Sequence, residues 1–90
     1  MEKERAEEVI RQLGRRIAEI REDLGWTQQQ AAEMLNMPTK NLQKIERGSN
    51  LTVRSLVRVA SALGVPTRLL FDPPASKERL RGRPKKKTAT

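Results

Sequence analysis

Apolar residues recur at Ile10, Leu13, Ile17, Ile20 and Leu24, in steps of 3, 4, 3 and 4 residues. Steps of that size return to one face of a helix with about 3.6 residues per turn, so the pattern predicts an amphipathic first helix. Glu4, Glu7 and Glu8 fall early in it, where carboxylates favour the positive end of the helix dipole. Gly25 stops it. Thr27 followed by Gln30 is a capping-box pattern, so a second helix begins near Gln28. That helix is short: Ala31, Ala32 and Leu35 face inward and Asn36 ends it. Pro38-Thr39 opens a third helix with Leu42 and Ile45 inward, and Gly48 ends that one. Thr52 caps a fourth, where Leu56, Val59, Ala60 and Leu63 form the buried stripe and Gly64 closes it. Thr67 caps a final turn, Arg68-Leu69-Leu70-Phe71, which Asp72-Pro73-Pro74 terminates. No segment alternates with the period of a strand. The expectation is an all-α domain of five short helices with no internal repeat.

Composition narrows what such a domain does. The chain has 90 residues, enough for one domain, with no His, no Cys and no Tyr, and one Trp and one Phe. Zinc fingers, thiol nucleophiles, Ser-His-Asp triads and disulfide frameworks all need residues that are missing. The expectation is therefore no metal and no cofactor. It is also not an enzyme: no pair of residues suggests a general acid and base, and so short a chain cannot wall off a pocket from water. Stability has to come from an aliphatic core. Apolar runs are too short to span a membrane, and Met1-Glu2-Lys3-Glu4-Arg5 is no signal peptide. With the absence of cysteine these features fit a cytoplasmic protein.

The formal net charge is +8, which points to a polyanion as partner, most often nucleic acid. It is unevenly placed. Residues 1–24 hold six basic and seven acidic groups, residues 25–74 six and three, and residues 75–90 seven and one. The last segment also loses its apolar residues. The expected organisation is a folded domain over residues 1–74 and a disordered basic arm over residues 75–90.

Two short helices joined by three or four residues have helix-turn-helix geometry; the turn here is Asn36-Met37-Pro38. In such a pair the second helix enters the major groove of DNA and the first crosses the backbone. Lys40, Lys44 and Arg47 lie 4 and 3 residues apart on one side of the third helix, with Thr39 and Gln43 beside them and no acidic residue among them. Glu46 falls nearer the inward face.

The stretch from Leu13 to Asp72 resembles the phage lambda repressor and Cro (XRE-type) helix-turn-helix family. The matching residues are Leu24-Gly25-Trp26-Thr27-Gln28, Ala32, Ile45-Glu46-Arg47-Gly48 and Ala60-Ser61-Ala62-Leu63-Gly64-Val65. The resemblance implies a compact five-helix lambda-repressor-like DNA-binding domain in a protein of bacterial or phage type, associated with the nucleoid. It implies that Thr39, Lys40, Gln43 and Lys44 face base edges, where Lys pairs with guanine, Gln with adenine and Thr meets a thymine methyl. Thr27, Gln28, Arg47 and Arg54 fall at phosphate or backbone positions, Gln28 through its backbone N–H at a helix terminus. Gln28 is also placed to brace a base-reading side chain. Arg21 and Glu46 occupy positions of a buried ion pair. Pro38 departs from the family's usual Ser or Thr cap, which passes the capping role to Thr39. Leu51 and Ala31 replace a common Pro and a common Leu.

In the arm, Arg81-Gly82-Arg83-Pro84 followed by three lysines resembles an AT-hook, which lays its backbone in the narrow minor groove of A·T tracts. A generic polybasic arm adding phosphate contacts is the other reading. Leu69, Leu70 and Phe71 are candidates for a dimer contact, or they simply cap the core. Trp26 is read as packing on the first helix, Met34 and Met37 as core fillers, and Arg15 and Arg16 as decoration of an exposed surface.

The function expected from all this is sequence-specific, double-stranded DNA binding by a transcriptional regulator, as a homodimer on a palindromic site. Two alternatives share the domain: the antitoxin of a toxin–antitoxin pair, with a toxin as protein partner, and a nucleoid-type architectural protein.

Overall fold

The computed structural model describes residues 5–74. Helix α1 runs Ala6–Asp23, α2 Gln28–Leu35, α3 Thr39–Gly48 and α4 Val53–Leu63, followed by a 3-10 turn at Thr67–Phe71. The described residues contain no strand. The all-α expectation holds, with the fifth element a 3-10 turn rather than an α-helix. The predicted arm over residues 75–90, with its AT-hook candidates Arg81, Gly82, Arg83 and Pro84, lies outside the described residues.

Three of the four helices stop in the same way. Gly25, Asn36 and Gly64 adopt the left-handed conformation. The next residue's N–H then reaches back five positions: Trp26 to Arg21 O, Met37 to Ala32 O and Val65 to Ala60 O, at 3.2, 3.0 and 3.0 Å. These bonds satisfy carbonyls that the last turn leaves without a partner, and the motif places an apolar residue just past the stop, against the helix it ends. Trp26, Met37 and Val65 are each partly buried against the core. Asn36 has a φ of 58°, the one positive φ at a non-glycine residue among those described, which a short polar side chain tolerates.

Helix starts follow the sequence at two sites and depart from it at two. The Thr27 hydroxyl accepts the Gln30 N–H at 3.0 Å and the Gln30 side chain accepts the Thr27 N–H at 2.8 Å, a complete capping box. Thr52 caps α4 by accepting from the Ser55 N–H at 3.0 Å. Thr39 does not cap α3: it is the first helical residue, and Pro38 holds the cap position without a side-chain bond. Proline's fixed φ suits the entry to a helix and offers no oxygen to cap with. Thr67 likewise lies inside the 3-10 turn, behind Pro66 at the cap position.

The core is aliphatic. Leu13, Ile17 and Ile20 of α1 meet Leu42 and Ile45 of α3, with Ala31, Ala32 and Leu35 of α2 and the Leu56, Val59, Ala60, Leu63 stripe of α4. Ile10 is half-buried at the edge, while Leu24, past the end of α1, is 45% exposed. Leu70 is fully buried, so it belongs to the core and is not available as a dimer contact. Leu69 packs partly on the core, and Phe71 is 53% exposed. A 3-10 turn has three residues per revolution, so adjacent residues diverge sharply and only one of the three faces straight in. Met34 is also corrected: at 58% exposed it fills no core.

Packing of α1 on α3 depends on a missing side chain. Gly14 sits mid-helix and is buried. A Cβ there would fall on the carbonyl oxygen of Ile45 and 2.8 Å from that of Glu46. The two backbones therefore touch, which sets the height of α3 above the bundle.

Candidate nucleic-acid interface

Helix α3 buries Leu42 and Ile45 and turns the rest outward. At about 100° per residue, Lys40, Gln43, Lys44 and Arg47 share an arc opposite the buried pair, and all four are exposed. Thr39, at the start of the helix, is half-buried. Lys40, Lys44 and Arg47 make no hydrogen bond or ion pair to any described residue. An arc of unpaired cations with amide groups among them can attract phosphate and offer donors and acceptors to base edges.

The carboxylate that could neutralise this arc is held elsewhere. Glu46 accepts from Arg21 twice, at 2.6 Å from Nε and 3.2 Å from Nη2, in the two-pronged geometry of a guanidinium on a carboxylate. Both side chains are nearly buried, at 11% and 8% exposure. Arg21 also donates to the Trp26 carbonyl at 2.7 Å, which ties it to the loop entering α2. The Arg21–Glu46 pair expected from the sequence is thus in place.

From Glu46 a chain of amides runs to the surface. Gln28 donates through Nε2 to Glu46 Oε1 at 2.9 Å, and its Oε1 accepts from Gln43 Nε2 at 3.3 Å. A carboxylate only accepts, so the Gln28 amide has one orientation, and that orientation leaves its oxygen toward Gln43. Gln43 commits one N–H to Gln28 and keeps a second N–H and its carbonyl oxygen. Those remaining groups suffice for a bidentate contact with adenine. Gln28 braces an outer-face side chain, as the sequence suggested, and the braced residue is Gln43.

Thr27 commits a hydroxyl lone pair to the α2 cap and remains exposed. Arg54 lies exposed in the first turn of α4. Sequence reasoning missed three features of α1 and its contacts. Gly14 carries no local signal, because its requirement comes from the α3 backbone. Arg16 is no surface decoration: it is part-buried, donating to the Leu69 carbonyl at 3.3 Å and to Glu19 at 3.1 Å, and so fastens the 3-10 turn to α1. The third is a cleft of about 690 Å³ between α1 and α3, lined by Arg11, Arg15 and Ala18 of α1, by Gln28, and by Gln43, Glu46 and Arg47 of α3, with Arg21 and Glu22. Its signal was the i, i+4, i+7 spacing of Arg11, Arg15 and Ala18, which lie on one side of α1.

Groups of carboxylates able to hold a metal ion are absent among the described residues, and no helix among them is long and apolar enough to cross a membrane.

Residues 17–70 match the model of a helix-turn-helix family, HTH_3. Solved structures resemble the fold. The restriction-modification controller protein C.AhdI from Aeromonas hydrophila is 27% identical, with a TM-score of 0.66 over 69% of this chain and 96% of that one. SinR, described as the master regulator for biofilm formation and solved in complex with DNA, is 29% identical, with a TM-score of 0.61 over 67% of this chain and 98% of that one. A hypothetical transcription factor from Neisseria, NHTF, shares the fold at 22% identity and a TM-score of 0.70, over 90% of this chain and 94% of that one. No curated protein matches the chain in sequence.

Proposed function

The chain belongs to the helix-turn-helix family HTH_3, and from that premise we propose that it is a transcriptional regulator that binds double-stranded DNA in a sequence-specific manner. The observation that carries this reading is the outward arc of α3: Lys40, Gln43, Lys44 and Arg47 are exposed together while the helix's one carboxylate is locked to Arg21. In this reading α3 lies in the major groove. Thr39, Lys40, Gln43 and Lys44 address base edges, and Gln43 contributes the most defined donor and acceptor because Gln28 holds it. Thr27, Gln28, Arg47 and Arg54 contact phosphate, Gln28 through its backbone N–H in the first turn of α2. Similarity to C.AhdI and SinR supports a regulatory role.

The finer reading is a homodimer on a palindromic site, two copies of α3 entering successive major grooves about 34 Å apart. Phe71 remains a candidate for its seam, with Leu69 beside it and Leu70 removed to the core. Residues 75–90 would add phosphate or minor-groove contacts, Arg81, Gly82, Arg83 and Pro84 among them.

Selection of bound duplexes from a random pool tests the proposal. The expected result is an enriched two-fold motif. Lys44→Ala should then lower affinity for it by about 1–3 kcal/mol and relax one base position in each half. No enrichment, with equal affinity for random and selected duplexes, would refute sequence-specific regulation.

A further inference from the structure

The cleft between α1 and α3 borders the outer face of α3 at Gln43, and some of its lining lies outside the family match. Arg11 and Arg15 precede residue 17, where that match begins. They are four residues apart, hence on one side of α1, and both line the cleft with Arg47 of α3. The close approach at Gly14 brings this side of α1 against the C-terminal half of α3. A second approach is at Gly48, where an added Cβ would lie 3.3 Å from the Arg11 Cα. Arg11 and Arg47 therefore flank the same crossing.

The charges do not balance. Four guanidiniums and two carboxylates line the cleft. Arg21 and Glu46 cancel in their buried pair. Arg11 is shared with Glu8, an exposed partner 3.2 Å away on its own helix, and exposed pairs of that kind are weak and exchange readily. Glu22 lies 3.6 Å from Arg21. Arg15 and Arg47 have no partner among the described residues. Two unpaired guanidiniums thus face one opening, beside the amides of Gln28 and Gln43. The guanidinium fork matches a phosphate group in shape as well as charge.

We propose that Arg11 and Arg15 of α1, with Arg47 of α3, form a clamp for one or two DNA backbone phosphates alongside the recognition helix. The proposal rests on the DNA-binding reading and extends it to α1, a helix outside the helix-turn-helix pair. Such a clamp carries no base information. It fixes how far α3 is turned within the groove, because α1 and α3 are locked together at Gly14. It adds affinity that depends on salt and is the same for every sequence.

The test is the salt dependence of binding by the full chain, for Arg15→Gln, the double variant Arg11→Gln/Arg15→Gln, and Arg15→Lys. Each is measured on a selected duplex and on a random one. Both arginines are exposed, so circular dichroism and thermal melting should be unchanged. The expected result is that Arg15→Gln weakens binding to both duplexes by the same factor and flattens the slope of log K against log salt by about 0.9 for each phosphate no longer neutralised. The double variant should flatten it at least as much. Arg15→Lys should restore most of the slope, since the charge remains. An unchanged slope in the double variant, with Lys44→Ala still lowering affinity for the selected duplex, would overturn the clamp and leave the DNA-binding reading standing. Loss of preference for the selected duplex in Arg15→Gln would also overturn it, because a phosphate clamp reads no bases. Failure of the unaltered chain to bind any duplex at low salt would overturn both.

Discussion

Gly14→Ala sets two physical effects against each other, and the structure says which wins. Alanine is favoured over glycine in a helix interior by about 1 kcal/mol, so α1 on its own would be stabilised. The new methyl group, however, would land on the Ile45 carbonyl oxygen and 2.8 Å from that of Glu46. Neither obstacle is the end of a flexible side chain. Both are backbone atoms of α3, so the helices must part. Overpacking of that kind costs about 1–3 kcal/mol, and part of the burial of Leu42, Ile45 and Ile17 goes with it. Because both obstacles are backbone, the upper part of that range applies, about 2–3 kcal/mol, and net destabilisation of about 1–2 kcal/mol should remain after the propensity gain. The assay is urea unfolding followed by circular dichroism and by Trp26 fluorescence. With a slope near 1 kcal/mol per molar urea for a domain this small, the midpoint should fall by roughly 1–2 M. Gln12→Ala, on an exposed position of the same helix, serves as control and should shift stability by less than about 0.5 kcal/mol. A Gly14→Ala protein as stable as the parent, or more so, would refute the backbone contact between α1 and α3.

Two further variants probe the interior. Glu46→Ala leaves the nearly buried Arg21 guanidinium without its carboxylate and should cost about 3–5 kcal/mol, close to the whole stability of a small domain; the companion Arg21→Met/Glu46→Leu should recover much of that loss in a denaturation series, and failure of both to differ would remove the pair's structural role. Leu70→Ala should cost about 2–5 kcal/mol by opening a cavity in a fully buried site, whereas Phe71→Ala should change monomer stability little; the reverse order in thermal melts would show that the 3-10 turn is oriented differently.

What the sequence made legible is local. The Thr27–Gln30 capping box, the stops at Gly25, Asn36 and Gly64, and the inward stripe of α4 each depend on neighbours within one or two turns. The third-helix face was legible for the same reason, since its buried pair, Leu42 and Ile45, fixes which residues point away. Periodicity tells which side of a helix is buried but not where that burial ends. Leu24 continued the stripe in sequence and fell past the last turn; Met34 was apolar and lay beyond the core's edge. Gly14 carried no signal of its own, because its reason lies with residues 45 and 46 of another element. Arg16 and Arg15 looked alike as neighbours, yet one fastens the 3-10 turn and the other lines the cleft beside α3. Only the angle between α1 and its neighbours separates them.

The hydrogen bond between Gln28 and Gln43 divides the outer face of α3 into two kinds of position. Lys40 and Lys44 can be exchanged without disturbing anything beneath them, so a descendant could acquire a new target through those sites one step at a time. Gln43 is different, because its amide is the last link of a chain that begins at Arg21 in the interior. Drift there would leave the Gln28 amide oxygen without its donor, so this position should change late in a lineage and in company with its partners.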